Sequence, residues 1–173
     1  MVVNYGKRGM ALEQGIIHTN STYRAQGIAL VDKIPTPWRV YYDKRSNRSQ
    51  ATPMEKSTVD FSGTIRGGRA IHFEAKSTIN KTSFPLKNIS EHQVDYLISV
   101  QNLGSIAFFI IEFEALNERY LVPIDFIKTC WDRMFKGGRK SIAIKELREN
   151  SWLIPTTNVY CDYLSIVFKH LWE

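Results

Sequence analysis

The segment from Asp60 to Lys76 constrains the fold of this chain more than any other part of its sequence. Two stretches of alternating apolar and polar residues flank the turn sequence Arg66-Gly67-Gly68. Alternation with a period of two predicts β-strands, and glycine readily adopts the positive φ angles that tight hairpin turns require. The sequence therefore predicts an antiparallel β-hairpin here.

The apolar residues on the two strands select one register for this hairpin. If a three-residue loop is centred on Gly67, Phe61 lies opposite Phe73 and Asp60 lies opposite Glu74. A loop shorter by one residue would mismatch the apolar faces, because a one-residue shift turns every side chain to the other face of the sheet. We therefore expect the first register, which brings two carboxylates together.

Charged groups are expected to share one face of the hairpin. His72, Glu74 and Lys76 alternate on the second strand, and Thr58 and Asp60 are expected to face the same way on the first. Carboxylates directly opposite each other destabilise a hairpin, whereas a divalent cation between them lets both stay ionised. The pattern indicates metal-assisted cleavage of a phosphodiester, in which Lys76 holds the attacking water or stabilises the pentavalent phosphate. A solvated charged face is the alternative, and on this pattern alone it is the more common one.

Composition indicates one globular domain with a phosphate-rich partner. The chain has 173 residues, 43% of them hydrophobic, which suits a single domain with its own core. Its net charge is +6, and residues 1–57 carry +5 of that charge. A basic excess favours a nucleic acid as partner, with a merely basic surface as the alternative.

The sequence also indicates the cellular compartment. No apolar run approaches the ~20 residues of a membrane span, and the first residues lack a signal-peptide pattern. Cys130 and Cys161 lack the spacing of a metal site and are expected to be reduced structural thiols. We expect a cytoplasmic protein with no membrane partner.

The stretch from Pro37 to Lys56 differs in character from the rest of the chain. A rigid Pro35-Thr36-Pro37 break precedes it, and its polar sequence can bury little. We expect it to project as a hairpin or loop that contacts phosphates and stacks on bases, with a mobile surface loop as the alternative. The candidate DNA contacts are Arg39, Tyr41, Lys44, Arg45, Arg48 and Lys56. One domain over residues 1–173, with a stalk insertion at about 37–56, is therefore expected.

Helices on either side of the hairpin are expected to supply further polar groups. Apolar spacing predicts a helix over residues 10–23, in which Glu13 borders the buried stripe. The Glu13 carboxylate either approaches the site or only complements the helix dipole. Ser90-x-x-Gln93 resembles a capping box, so the Gln93 amide is either a cap or a polar group turned toward the site.

The order of the elements predicts the fold class. Residues 106–113 form a continuous apolar run, which predicts a strand covered on both faces. The other expectations are a first helix that closes at Asn20 and Gly27, a strand or helix end at 28–34, a loop at 80–89, a helix over 90–101, a strand at 120–122, a helix over 124–135, a short strand or turn at 139–142 and a C-terminal helix ending near Trp172. We expect an α/β fold with a mixed central β-sheet flanked by helices.

The residues of the hairpin and its neighbouring helices resemble a known family. Glu13 on a helix, Asp60 on a strand and then Glu74-x-Lys76 form the pattern of the PD-(D/E)xK nuclease superfamily, which has the restriction-endonuclease-like fold. The finer resemblance is to the RecU-type Holliday-junction resolvases of Gram-positive bacteria and their phages. It covers nearly the whole chain, and its further motifs are Arg8-Gly9-Met10, Thr19-Asn20, Lys44-Arg45-Ser46, Thr58-Val59-Asp60, Thr82-Ser83-Phe84-Pro85-Leu86, His92-Gln93, Trp131-Asp132-Arg133 and Gly138-Arg139-Lys140-Ser141.

This resemblance implies a homodimer with two Mg²⁺-dependent sites, Mn²⁺ being a second suitable ion. Such an enzyme nicks two like strands of a four-way DNA junction symmetrically during recombination and repair, beside recombinase and branch-migration proteins. The family's metal-binding roles fall on Asp60 and Glu74, with Glu13 as a supporting carboxylate and Lys76 as the catalytic lysine. Gln93 matches a glutamine near that site, and Thr58 is a further candidate ligand because of its strand face.

The resemblance is weakest in the basic stalk. The stalk is a little shorter than is usual in the family, and its second arm, from Thr52 to Lys56, lacks the family's apolar and aromatic residues. The resemblance therefore supports strand cleavage more strongly than it supports distortion of the junction by a stalk that enters its centre. The alternatives are a nuclease of the same superfamily that acts on other DNA structures and a junction-binding protein without catalysis.

Overall fold

The structure is a computed structural model that describes residues 8–35, 38–43, 47–53 and 58–172. The helices are α1 (Arg8–Ala25), α2 (Glu91–Asn102), α3 (Ile124–Phe135), α4 (Ile144–Glu149) and α5 (Tyr163–His170). The strands are β1 (Ala29–Lys33), β2 (Trp38–Asp43), β3 (Arg48–Pro53), β4 (Phe61–Ile65), β5 (Ala70–Thr78), β6 (Ser83–Pro85), β7 (Ile106–Phe113), β8 (Glu118–Pro123), β9 (Ser141–Ala143) and β10 (Trp152–Leu153). Within the described ranges, every helix is too short or too polar to cross a membrane.

A six-stranded mixed sheet forms the centre of the fold, in the order β1-β4-β5-β7-β8-β10. Strands β5 and β7 run parallel, and the other neighbours pair antiparallel. One apolar cluster packs α1 and α5 against one face, and a second packs α2 and α3 against the other. Every residue of β7 is buried because both faces are covered. The predicted mixed α/β class is confirmed.

The β4–β5 hairpin has the predicted register. Phe61 pairs with Phe73, and Gly67 and Gly68 take positive φ angles of +97° and +86° in the loop. The rings of Phe61 and Phe73 stack with their centroids 4.9 Å apart, and Phe73 stacks on Phe108 of β7 at the same distance. The matched apolar residues that selected the register, Phe61 and Phe73, therefore belong to one core cluster together with Phe108.

The start of β4 differs from the expectation. The ladder begins at Phe61, because the backbone N–H of Asp60 donates to the Glu74 side chain instead of to a carbonyl of β5. Thr58 consequently lies in an exposed bend before the strand. The expected place of Thr58 on the strand face beside Asp60 is wrong.

Two other boundaries differ from the expectation. Asn20 does not close the first helix; it is buried inside α1, where its Oδ1 accepts a hydrogen bond of 2.6 Å from the Tyr163 hydroxyl. The helix ends at Ala25, before Gly27 with its φ of +64°. The expected loop at 80–89 contains β6 and a 3-10 turn over Leu86–Asn88, and neither α4 nor β10 was expected.

The basic stretch after residue 37 folds as a hairpin in its described part. Strands β2 and β3 form a separate two-stranded antiparallel sheet in which Arg39 pairs with Thr52. Arg39, Tyr41 and Arg48 are exposed. Lys44, Arg45 and Lys56 lie outside the described residues, and the assignment of a single domain with a stalk stays a prediction.

Both cysteines are buried free thiols, as expected. Burial raises the pKa of the Cys130 thiol to about 11 and that of Cys161 to about 12. Since the thiolate is the reactive form, neither side chain has the chemistry of a nucleophile at neutral pH.

Candidate active site

Glu74 is the buried centre of the candidate site. It lies in the middle of β5, and only 1% of its surface is exposed. Its Oε1 accepts a hydrogen bond of 2.5 Å from Gln93 Nε2 and lies 2.7 Å from Lys76 Nζ. Its Oε2 accepts a 3.0 Å hydrogen bond from the backbone N–H of Asp60. Both oxygens therefore have partners, and the carboxylate is held in one orientation.

Asp60 is fixed by the reciprocal contact. Its Oδ2 accepts a hydrogen bond of 3.1 Å from the backbone N–H of Ala75, next to Glu74 on β5. The bend before β4 and strand β5 are thus joined by one backbone N–H hydrogen bond to each of the two acidic side chains. The sequence prediction that Asp60 lies against Glu74 is confirmed, although the contact runs through side chains and not through a continued ladder.

The environment of Glu74 disfavours its negative charge. Burial raises the pKa of the Glu74 carboxyl to about 7, the ammonium group of Lys76 opposes the increase, and the nearby Asp60 carboxylate adds to it. A buried carboxylate next to a second carboxylate is stabilised by additional positive charge. Lys76 supplies one such charge, and a bound cation would supply more.

A cleft of about 440 Å³ opens beside Glu74, which is buried and does not itself line the cleft. Asp60 and Lys76 line it together with Glu13 of α1, so the structure unites residues from a helix, from the bend before β4 and from β5. Glu13 also forms an ion pair with Lys33 of β1. Its carboxylate therefore lies at the cleft and beyond the first turn of α1, and its role as a supporting carboxylate stays a prediction.

Gln93 fulfils both of the roles that the sequence left open. Its Oε1 accepts a 3.1 Å hydrogen bond from the backbone N–H of Ser90, which completes the capping box of α2. Its Nε2 is the group that donates to Glu74. One amide therefore starts the helix and orients the central carboxylate.

Some residues of the cleft were not found by sequence reasoning. Lys33, Lys87 and Glu114 all lie at or beside the cleft, and each comes from a segment without a recognisable local motif. Lys33 follows from the pairing of β1 with β4, which places it opposite Phe61. Thr58 is exposed outside the strand, and the described DNA-contact candidates lie on the β2–β3 sheet.

The donor set fits a hard divalent cation. Mg²⁺ commonly takes one or two protein carboxylates and completes its shell with water and substrate phosphates. Asp60 provides one such carboxylate on the wall of the cleft, and Glu74 provides a second, buried one that accepts a hydrogen bond from the backbone of Asp60. In the described ranges, no group of three or more His, Cys, Asp or Glu residues is arranged to hold a metal. The residues are thus compatible with an open, water-rich site and not with an all-protein cage.

Comparison with known proteins identifies the family. The model of the family "Recombination protein U" matches residues 7–169. The Holliday junction resolvase RecU of Geobacillus sp. (strain WCH70) is 44% identical over 172 residues, which are 96% of this chain and 85% of the relative. The protein of the same name from Listeria welshimeri serovar 6b is 40% identical over 96% of this chain and 86% of its own.

A solved Holliday junction resolvase is a more distant match. Hjc of Archaeoglobus fulgidus is 12% identical, with a TM-score of 0.43 over 68% of this chain and 78% of that one, a likeness that supports no conclusion by itself. The family model and the relatives cover nearly the whole chain, including every residue of the candidate site. The chain belongs to the Recombination protein U (RecU) family.

Proposed function

We propose that this protein is a Holliday junction resolvase, an endonuclease that nicks four-way DNA junctions symmetrically during recombination and repair. The observation that carries the proposal is the contact of Asp60, Glu74 and Lys76 beside one cleft. The four-way junction is proposed as the substrate because the chain belongs to the RecU family, whose curated relatives are named Holliday junction resolvases. Action on recombining DNA would place it in the cytoplasm.

Asp60 and Glu74 are the residues that would hold Mg²⁺, or Mn²⁺ in its place. Such an ion supplies positive charge to the phosphate and makes water a better nucleophile. The hydrogen bonds from Gln93 and from the backbone N–H of Asp60 fix the direction in which Glu74 presents its oxygens. These supporting contacts let the pair bind without reorganisation.

Lys76 is the candidate catalytic residue. Its ammonium group lies 2.7 Å from Glu74 Oε1 and is partly exposed in the cleft. There it can donate a hydrogen bond to the attacking water or to a phosphate oxygen as negative charge develops. Water oxygen bonds to phosphorus in line with the departing 3′ oxygen; the water loses a proton and the 3′ oxygen gains one.

The proposal also includes a homodimer. Symmetric nicks on two like strands need two equivalent sites, and a two-fold dimer provides them most simply. Recombinase and branch-migration proteins are the partners that would deliver and remodel such a junction.

Cleavage of three DNA substrates tests the proposed function. We expect nicks at symmetric positions in a synthetic four-way junction and much slower cutting of a flap or a linear duplex of the same sequence. Cutting of the duplex as fast as the junction would indicate another nuclease of this fold. Junction binding without product in Mg²⁺ or Mn²⁺ would indicate a non-catalytic binding protein.

The double role of Gln93 gives a testable difference. Gln93→Ala removes the donor to Glu74 and half of the capping box, whereas Ser90→Ala weakens only the cap. We expect Gln93→Ala to lower junction cleavage ~10–100-fold, as for residues that orient metal ligands. Ser90→Ala should cost about 1 kcal/mol of stability and leave cleavage near that of the unchanged protein. Equal cleavage by the two variants, each measured below its unfolding temperature, would contradict this role.

The β2–β3 arm is expected to bind the junction through its cations. Arg39 donates a 3.0 Å hydrogen bond to the Tyr41 hydroxyl, and both residues, like Arg48, are exposed. Neutralising Arg39, Lys44, Arg45 and Arg48 together should weaken junction binding and flatten the plot of log affinity against log salt by roughly 3 to 4 units. Filter-binding affinities measured between about 50 and 200 mM salt give this slope, because phosphate contacts change the affinity strongly over that range. An unchanged slope would exclude the arm from DNA contact.

A further inference from the structure

A second group of cations lies beside the cleft, away from the β2–β3 arm. The short strands β6 and β9 pair antiparallel, with Pro85 opposite Ser141. Backbone hydrogen bonds extend the pairing at both ends, from Leu86 N–H to Lys140 O and from Ile144 N–H to Thr82 O. We call this unit, residues 81–87 with 139–145, the basic ribbon.

The pairing places like charges near each other at both ends of the ribbon. Lys81 and Lys87 lie within two residues of the ends of β6, and Arg139, Lys140 and Lys145 lie within two residues of the ends of β9. Because the strands are antiparallel, Lys87 and Lys140 fall at one end of the pair, and Lys81 and Lys145 fall at the other. All five cations are exposed, and like charges held close together repel each other.

Within the described ranges, none of the five cations forms an ion pair with a carboxylate. The adjacent Glu146 is already engaged by Arg133, and residues 136–145 contain four cations and no acidic residue. The two segments of the ribbon, residues 81–87 and 139–145, therefore concentrate positive charge and contain no acidic residue of their own.

The ribbon is held rigidly and reaches the active site. Gly137 has a φ of +83°, and a side chain on Gly138 would collide with the backbone oxygen of Arg133 at 2.8 Å, so this turn is fixed where it delivers Arg139 to the ribbon. Phe84 and Ile142 anchor the underside in the core. At its other end, Pro85 and Lys87 form part of the wall of the cleft that holds Asp60 and Lys76.

We propose that the basic ribbon binds the phosphate backbone of the duplex arm that carries the cleaved strand. The inference rests on the proposed function and extends it with a second DNA surface. The ribbon is at most roughly 20 Å long at ~3.3 Å per residue, and a DNA strand advances about 3.4 Å per phosphate, so several consecutive phosphates fit along it. A strand bound there continues past Lys87 into the cleft.

This surface differs from the stalk in the kind of DNA that it recognises. The stalk is expected to contact the junction centre, which a linear duplex lacks. The four-way junction and the linear duplex both present the phosphates of a duplex arm. Contacts to these phosphates fix the position of the protein on the DNA without reading its sequence. Loss of ribbon charge should therefore weaken junction and duplex binding by the same factor.

Binding without divalent metal tests the ribbon independently of cleavage. In EDTA, Arg139→Gln/Lys140→Gln should weaken binding to both DNAs ~10-fold and reduce the salt slope of each by about 2 units. The control Lys128→Gln/Lys169→Gln removes the same net charge from α3 and α5 and should leave both slopes unchanged. Circular dichroism checks that the variants are folded.

Two results would overturn the proposal that the basic ribbon binds duplex phosphates. One is a salt slope equal to that of the control variant; the other is a loss confined to the four-way junction, which would assign these cations to the junction centre. Neither result depends on cleavage. If the unchanged protein binds junctions but makes no product, the proposed enzymatic function fails while the ribbon can still be confirmed.

Discussion

Glu74→Gln is expected to lower junction cleavage by ~10³-fold or more, an effect typical of removing a central charged group from an active site. The substitution keeps the size of the side chain and removes the charge that would hold a cation. It also replaces an oxygen that accepts from both Gln93 and Lys76. Single-turnover cleavage of a labelled junction measures the loss.

A thermal shift separates this loss from misfolding. A ligand that binds only the folded state raises the unfolding temperature, so Mg²⁺ or Mn²⁺ should stabilise the unchanged protein and not Glu74→Gln. Glu112→Gln is the matched control, because Glu112 is another buried acid of the same sheet, paired with Arg119 away from the cleft. It should lose stability and retain cleavage. Metal stabilisation that survives in Glu74→Gln would exclude Glu74 as a ligand.

Lys76→Gln is expected to slow cleavage ~10²–10³-fold while metal stabilisation persists. The reason is that Lys76 acts on the reacting phosphate or water, whereas Asp60 and Glu74 are the residues assigned to the cation. Combined single-turnover kinetics and metal titration by thermal shift distinguish the two functions. Removal of the ammonium group also takes one donor from Glu74, which Gln93 and the Asp60 N–H continue to hold.

Lys169→Gln provides the charge control for this variant. Lys169 is exposed near the end of α5, so its loss changes the net charge by the same amount without altering the cleft. We expect cleavage by this control to stay within about twofold of the unchanged protein. A Lys76→Gln variant as active as Lys169→Gln would remove Lys76 from the mechanism.

The part of the site that sequence predicts well is the part set by periodicity. Apolar residues on two strands can match in only one register, and that register carries Asp60 to Glu74. The position of Gln93 on its helix left two roles open, a cap and a group turned toward the site, and the structure shows both contacts. Burial on one face therefore restricts the hairpin to a single register, whereas it does not decide the role of the amide.

The contacts that sequence does not predict come from segments that meet only in three dimensions. Strands β6 and β9 are each three residues long and lie far apart in the chain, too short to show a period. The net charge of residues 58–173 is only +1, and this sum conceals the local cluster of cations in the basic ribbon. Thr58 was misplaced because the Asp60 N–H donates to a side chain, which ends the ladder earlier than alternation indicates.

The central claim is that Asp60, Glu74 and Lys76 form a metal-dependent junction-cutting site. The most direct measurement is cleavage of a four-way junction by the unchanged protein with and without Mg²⁺, beside Lys76→Gln. We predict paired symmetric nicks that require Mg²⁺ and fall ~10²–10³-fold in the variant. Cleavage that proceeds equally in EDTA, or equally in Lys76→Gln, would contradict the account.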